Sequence, residues 1–236
     1  DHNFLHNGNF IKFLSWRKFK NERGGSLTTY LALIGDLKKS RHITQRADAQ
    51  REIKQALEDI STAYSRLFAS RLTLTLGDEF QALLHPEEEG WMRMLDDLET
   101  RLIRYPFRIG MGLGGISTAI DSSISIGADG EAFWHARDAI SYVHANDAGG
   151  KVNTRLIGLK DGWDDTFNSL LEAADTIKFG WTALQDETFR GMIKRGIYSD
   201  SFEQKAFAQA IGISESSLTK RLYAGNIKFY IRLRKT

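Results

Sequence analysis

The chain has 236 residues, 42% hydrophobic and 26% charged, with a formal net charge of +2. This is ordinary globular composition, long enough for one large domain or a mid-sized and a small one. The absence of cysteine excludes disulfides and thiolate metal sites.

The charge is unevenly spread. Residues 186–236 hold ten Lys/Arg against five Asp/Glu, residues 1–26 hold five against two, and residues 27–185 carry a balance of −6. An acidic body with a basic tail predicts two units with different partners. No apolar run approaches the ~18 residues needed to span a bilayer, so the expectation is a cytoplasmic protein with no membrane partner.

Residues 1–26 show aromatic and basic side chains without a period and read as an N-terminal extension. From Leu27, "LTTYLALIGD" is a continuous apolar run, the pattern of a buried central strand. Residues 43–68 read as one helix with Ile53, Ala56, Leu57, Ile60 and Tyr64 on one face. "LTLTLGDEFQALL", residues 72–84, reads as a hairpin whose tip carries Asp78 and Glu79. Pro86 and the acids Glu87 to Glu89 are expected to open a helix that runs through Leu102. A glycine-rich strand, "FRIGMGLGGIS", follows, then a helix in "DGEAFWHARDAISYVHAND" closed by "AGG", and a last strand in "KVNTRLIG". The leading β-α-β-β-α-β order is the split unit of ferredoxin-like folds.

That topology brings the end of the first strand, with Asp36, close to Asp78. Two aspartates there suit Mg²⁺ or Mn²⁺, and such a pair with a triphosphate is the core of phosphoryl and nucleotidyl transfer. Glu79 is a third candidate ligand. Gly110, Gly112, Gly114 and Gly115 would let a ligand approach a strand closely. Turn chemistry explains the same aspartates, and spacing alone leaves both readings open. His85, His135 and His144 lie in different elements without metal-ligand spacing and read as surface or satisfied core positions. Phe133 and Trp134 read as core.

Residues 202–225 read as a helix-turn-helix. Phe202, Ala206, Phe207 and Ala210 form one apolar face, Gly212 makes the turn, Ser214 caps the second helix, and Leu218 and Leu222 pack inward. In a DNA-binding use, Ser216, Ser217, Thr219, Lys220 and Arg221 face the major groove. Lys220 and Arg221, with Lys228, Arg232 and Arg234, would neutralise phosphates.

The segments "LIGDLKKS", "LTLGDEF", "FRIGMGLGGIST" and "SIGADGEAFWHARDAI" resemble the palm of class III nucleotide cyclases and, more distantly, of diguanylate cyclases. The resemblance implies Asp36 and Asp78 as metal ligands. It also implies a nucleotide pocket around Ile34, Gly35, Leu37, Gly77, Gly112 and Gly114, with Arg137 as the transition-state arginine. Phe133 stands where the cyclases carry a ribose-binding asparagine, so the implied domain keeps the fold and a metal or nucleotide site without the full cyclase reaction. Cyclases of this class also imply a homodimer.

The same segments with the helical tail resemble the SatD family of bacterial proteins, which implies an association with acid tolerance and no particular reaction. The expectation is therefore an α+β, ferredoxin-like, cyclase-type palm over 27–160, followed by a helical region over 161–236. In function it is a regulator that binds Mg or Mn and a nucleotide and couples them to DNA binding, leaning away from an enzyme. The alternatives are metal-dependent nucleotidyl or phosphoryl transfer, and a stress-associated protein-interaction module.

Overall fold

The computed structural model describes residues 28–75 and 78–235. The expected N-terminal extension and Gly77 lie outside the described residues. Five strands form one sheet: β1 (Tyr30–Leu37), β2 (Phe68–Leu74), β3 (Glu79–Leu84), β4 (Phe107–Gly114) and β5 (Thr154–Ile157). Their order is β2-β3-β1-β4-β5. β1 lies antiparallel to both β3 and β4, β2 antiparallel to β3, and β5 parallel to β4. The first four strands are thus the expected ferredoxin-like arrangement, with β5 added at one edge.

The continuous apolar run of β1 is explained by burial on both faces. Leu31, Leu33 and Leu37 point into the larger core with helices α1 (Arg46–Ala63) and α2 (Trp91–Arg101). Ala32 and Ile34 point the other way, against Ala132, Phe133, Ala136 and Ile140 of α3 (Glu131–Ala145). Phe133 is core as expected, but Trp134 is 59% exposed. The inward arc of α3 is taken by residues 132, 133, 136, 139, 140 and 143, which leaves position 134 outside.

Two boundaries differ from the sequence expectation. The helix expected over 43–68 ends at Ala63, and after a short 3-10 turn Phe68 opens β2, pairing with Leu84. The helix expected to open at Pro86 begins at Trp91, behind Gly90 with φ 102°, so Glu87 to Glu89 stay in the preceding turn.

Five more helices follow: α4 (Trp163–Phe179), α5 (Ala183–Lys194), α6 (Gln204–Ala210), α7 (Glu215–Ala224) and α8 (Ile227–Leu233). A second hydrophobic core holds Phe189, Met192, Phe207, Leu218, Leu222, Tyr230 and Ile231. α4 feeds both cores, placing Phe167 and Leu171 in the first and Ala174 in the second. The inward residues of α6 are Phe207 and Ala208, whereas Ala206 and Ala210 are exposed. Gly212 makes the turn with φ 72°, and Ser214 Oγ caps α7 by accepting the Ser217 amide, as expected. Among the described residues no helix is long and apolar enough to cross a membrane.

Candidate functional site

The register of the sheet builds the predicted carboxylate site. Asp36 lies directly opposite Glu79 on β3 and Arg108 on β4, so the three share one sheet face. The Leu37 amide donates to the Asp78 carbonyl at 3.0 Å, which fixes the hairpin tip beside the end of β1. Asp36 is 8% exposed. Its Oδ2 sits 2.9 Å from His144 Nε2 and 3.5 Å from Arg108 Nη1. Burial raises the Asp36 pKa above the usual carboxylate value; His144 and Arg108 oppose this, while Asp78 and Glu79 add to it.

Each remaining carboxylate has its own partner. Asp78 accepts a hydrogen bond from the Ser40 hydroxyl. Glu79 pairs at 3.0 Å with Arg137, which stands exposed on α3. The donors are of the type that suits Mg²⁺ or Mn²⁺, yet among the described residues no three His, Asp or Glu groups are gathered to hold an ion. The Arg108 and His144 side chains occupy the Asp36 carboxylate that a metal would need. As arranged, the residues do not fit a bound divalent ion.

The expected nucleotide-lining residues are placed by packing. Ile34 is buried in the smaller core under α3. Leu37 is buried in the larger core. A Cβ on Gly35 would meet the Phe80 ring at 2.1 Å, so that glycine makes room for the phenyl group on the neighbouring strand. A Cβ on Gly112 would meet the Ala132 carbonyl at 2.1 Å, and one on Gly114 the Ala132 amide at 2.7 Å. The glycine-rich strand therefore lets a helix backbone lie against the sheet. Gly112 and Gly114 leave no room for a ligand on that face.

The tail residues divide. Ser216, Thr219 and Lys220 are exposed on α7, opposite Leu218 and Leu222, which are 0% and 4% exposed. Ser217 is half-buried and its hydroxyl sits at the Ser214 cap. Arg221 turns inward and donates to Thr188 Oγ1 on α5 at 3.3 Å. Lys228 lies 5.5 Å from the Phe202 ring, and Arg232 pairs with Asp200 at 3.7 Å. Arg234, expected to meet phosphate, is 3% exposed and points into the protein.

Arg234 leads to a cluster that the sequence reading missed. Asp96 on α2 is 0% exposed and accepts hydrogen bonds from Tyr230 Oη at 2.6 Å and Tyr198 Oη at 2.7 Å. Lys178 Nζ lies 3.3 Å from Asp96 Oδ1, and Arg234 Nε lies 3.3 Å from Oδ2. Burial alone would push the Asp96 carboxyl up, but the Arg234 and Lys178 charges and the two tyrosine hydroxyls hold it below the usual value. Beside it, Asp175 accepts the Asn153 amide at 2.8 Å and lies 3.7 Å from Arg234 Nη1. There burial wins over Arg234 and the amide, and the carboxyl is pushed up to about 6. The signal available in sequence was an acid, Asp96, one helical turn after Met92 on the apolar side of α2, with Tyr230 and Arg234 at i,i+4.

No curated protein matches the chain. Among solved structures, one titled as a bacterial light-regulated adenylyl cyclase aligns over 56% of this chain and 77% of that one, at 14% identity and a TM-score of 0.41. A second structure with the same description aligns over 55% and 43%, at 14% identity and a TM-score of 0.39. Likeness of this extent says nothing of activity. The SatD family model, by contrast, matches residues 30–236, the palm and the helical tail together, and the chain belongs to the SatD family.

Proposed function

We propose that this SatD-family protein is a DNA-binding regulator whose α6–turn–α7 segment is the contact element and whose palm fixes its position. The observation that carries the reading is the exposed stripe of α7. Ser216, Thr219 and Lys220 face solvent on a capped helix whose other side is locked into a core by Leu218 and Leu222. Short polar and basic side chains near the N-terminus of a rigid second helix are the groups that reach base edges in a major groove. Lys205, Arg232 and Lys235 are exposed on the same unit, with Lys228 half-buried, and supply charge for the phosphate backbone.

In this reading Arg221 and Arg234 are structural, since each is committed to a protein partner. The buried cluster around Asp96 docks the tail on the palm, so a change in the palm reaches the contact helix through packed side chains. No catalytic step is assigned to Asp36, Asp78, Glu79 or Arg137, whose side chains are engaged by hydrogen-bond or ion-pair partners within the fold.

The test is binding to random-sequence duplex DNA across a salt series, for wild type and Lys220→Glu. Affinity should fall steeply with salt, and Lys220→Glu should weaken it further while lowering the salt slope by about one. Absence of binding at low salt would overturn the reading.

A further inference from the structure

A cavity of about 620 Å³ opens between the palm and the helical tail, within the size range of small-molecule sites. Leu95 and Glu99 of α2 line one side of it, and it reaches the sheet at Arg108, which also pairs with Asp36. Four acids line it, and each is already engaged. Glu99 pairs with Lys178 at 2.7 Å, Asp147 with Arg108 at 3.3 Å, Asp175 with Arg234, and Asp186 with Arg190 at 2.9 Å.

The cations do not balance in the same way. Lys38 is half-buried, and its ammonium donates only to the neutral amide oxygen of Asn153. Among the described residues neither Lys38 nor Lys39 forms an ion pair with a carboxylate. The Arg108 Nε is buried and donates to nothing among the described residues. Glu99, Asp147 and Asp175 act on Lys38 only from beyond ion-pair distance, and a charged amine so placed at a cavity wall is costly to bury and is offset by an anion that enters. Along the same cavity run Leu95, Phe107 and Phe179, the last residue 55% exposed.

We propose that this cleft binds a small molecule that joins one anionic group, a phosphate or a carboxylate, to a compact apolar body. The anion meets Lys38, with Lys39 and Arg108 on the same cavity lining, and the apolar body lies along Leu95, Phe107 and Phe179. The occupant touches the palm on one side and, through Phe179 and Arg234, the tail on the other. It therefore strengthens the docking of the two parts, whether or not the tail binds DNA.

The test is the thermal unfolding midpoint of the full chain with millimolar 1-naphthyl phosphate, 1-naphthoate or inorganic phosphate, in EDTA and without DNA. At least one naphthyl anion should raise the midpoint more than inorganic phosphate does, and the larger of the two naphthyl shifts identifies the anionic group preferred. Lys38→Met should weaken the apparent affinity about tenfold, as expected for losing a hydrogen bond to a charged group. Lys38→Arg should retain most of it. Phe179→Ala, at an exposed ring the fold does not need, should also weaken it, and carries the test if Lys38→Met does not fold. No shift with any probe, or shifts unchanged in both Lys38→Met and Phe179→Ala, would overturn the proposal. Because no DNA or metal enters the assay, that failure would leave the DNA-binding reading standing.

Discussion

Two carboxylate clusters dominate the polar chemistry of this protein, and they are built on opposite terms. Asp36 stands at a strand end, with two other acids nearby and its compensation drawn from a histidine and an arginine at the protein edge. Asp96 lies fully buried in the centre, with two tyrosine hydroxyls and two cations converging on it. The first carboxyl is held above its usual pKa and the second below. A carboxylate in dry surroundings is kept charged only when its hydrogen bonds and counter-charges are complete. Completeness thus marks Asp96 as structural, whereas the strain at Asp36 marks a site with weaker compensation.

The sharpest break of that comparison is Asp96→Ala. It would leave Arg234 with Asp175 alone at 3.7 Å, Lys178 with the half-exposed Glu99 alone, and Tyr198 and Tyr230 without an acceptor. Removing one member of a buried, hydrogen-bonded charge cluster costs about 3–5 kcal/mol. Urea unfolding should show a loss of that size, with the tail released from the palm. A cost below about 1 kcal/mol would mean that the hydrophobic contacts alone hold the two parts together.

The two clusters also differ in how far the sequence announced them. Strand order, the placing of Asp36 beside the hairpin tip, and the turn and cap of α6–α7 were legible, because periodicity and local turn chemistry determine them. The Asp96 cluster was not, because its members come from α2, α4, the loop at Tyr198 and the end of α8, elements separated by up to 138 positions in the chain. The glycines of β4 were read as open backbone, since a close helix and a close ligand leave the same signature in sequence. Only the helix packed against them decides between the two.

Gly112→Ala sharpens that second point. Its Cβ would sit 2.1 Å from the Ala132 carbonyl and 2.2 Å from the Ala136 amide. Backbone cannot yield as a side chain can, so α3 must lift from the sheet at a cost of about 1–3 kcal/mol. His144 rides on α3, so its contact with Asp36 should loosen as well. The nearby Gly115→Ala, where a Cβ meets nothing within 4 Å, is the control. Equal effects of the two variants would break the packing account.

A pH series separates the carboxyls. Asp175 titrates at about 6 in the folded protein, against 3.8 ordinarily, because burial outweighs Arg234 and the Asn153 amide. Between those values the folded state binds the proton more tightly, so this group adds stability as pH falls from about 6 towards 4 and withdraws it as pH rises. Asp96 has the opposite sign: its contribution is present above its unfolded pKa and is lost as pH falls through the lower folded value. Comparing unfolding midpoints from pH 4 to 7, Asp175→Asn should lose less stability than wild type as pH rises. Parallel curves would show that Asp175 is ionised throughout.

The smallest effect is expected at Arg137, the residue whose sequence setting most suggested chemistry. Its ion pair with Glu79 has side chains 53% and 38% exposed. Such a pair contributes at most about 1 kcal/mol, because water and salt screen it and two long side chains must be held still. Arg137→Ala should therefore shift stability by less than that, and the shift should shrink further in high salt. Glu79→Ala should match it, since each variant removes the same contact. A Glu79→Ala cost well above that of Arg137→Ala would mean that Glu79 does more beside Asp36 than answer one arginine. The strand-end cluster would then be a tighter unit than its exposed geometry implies.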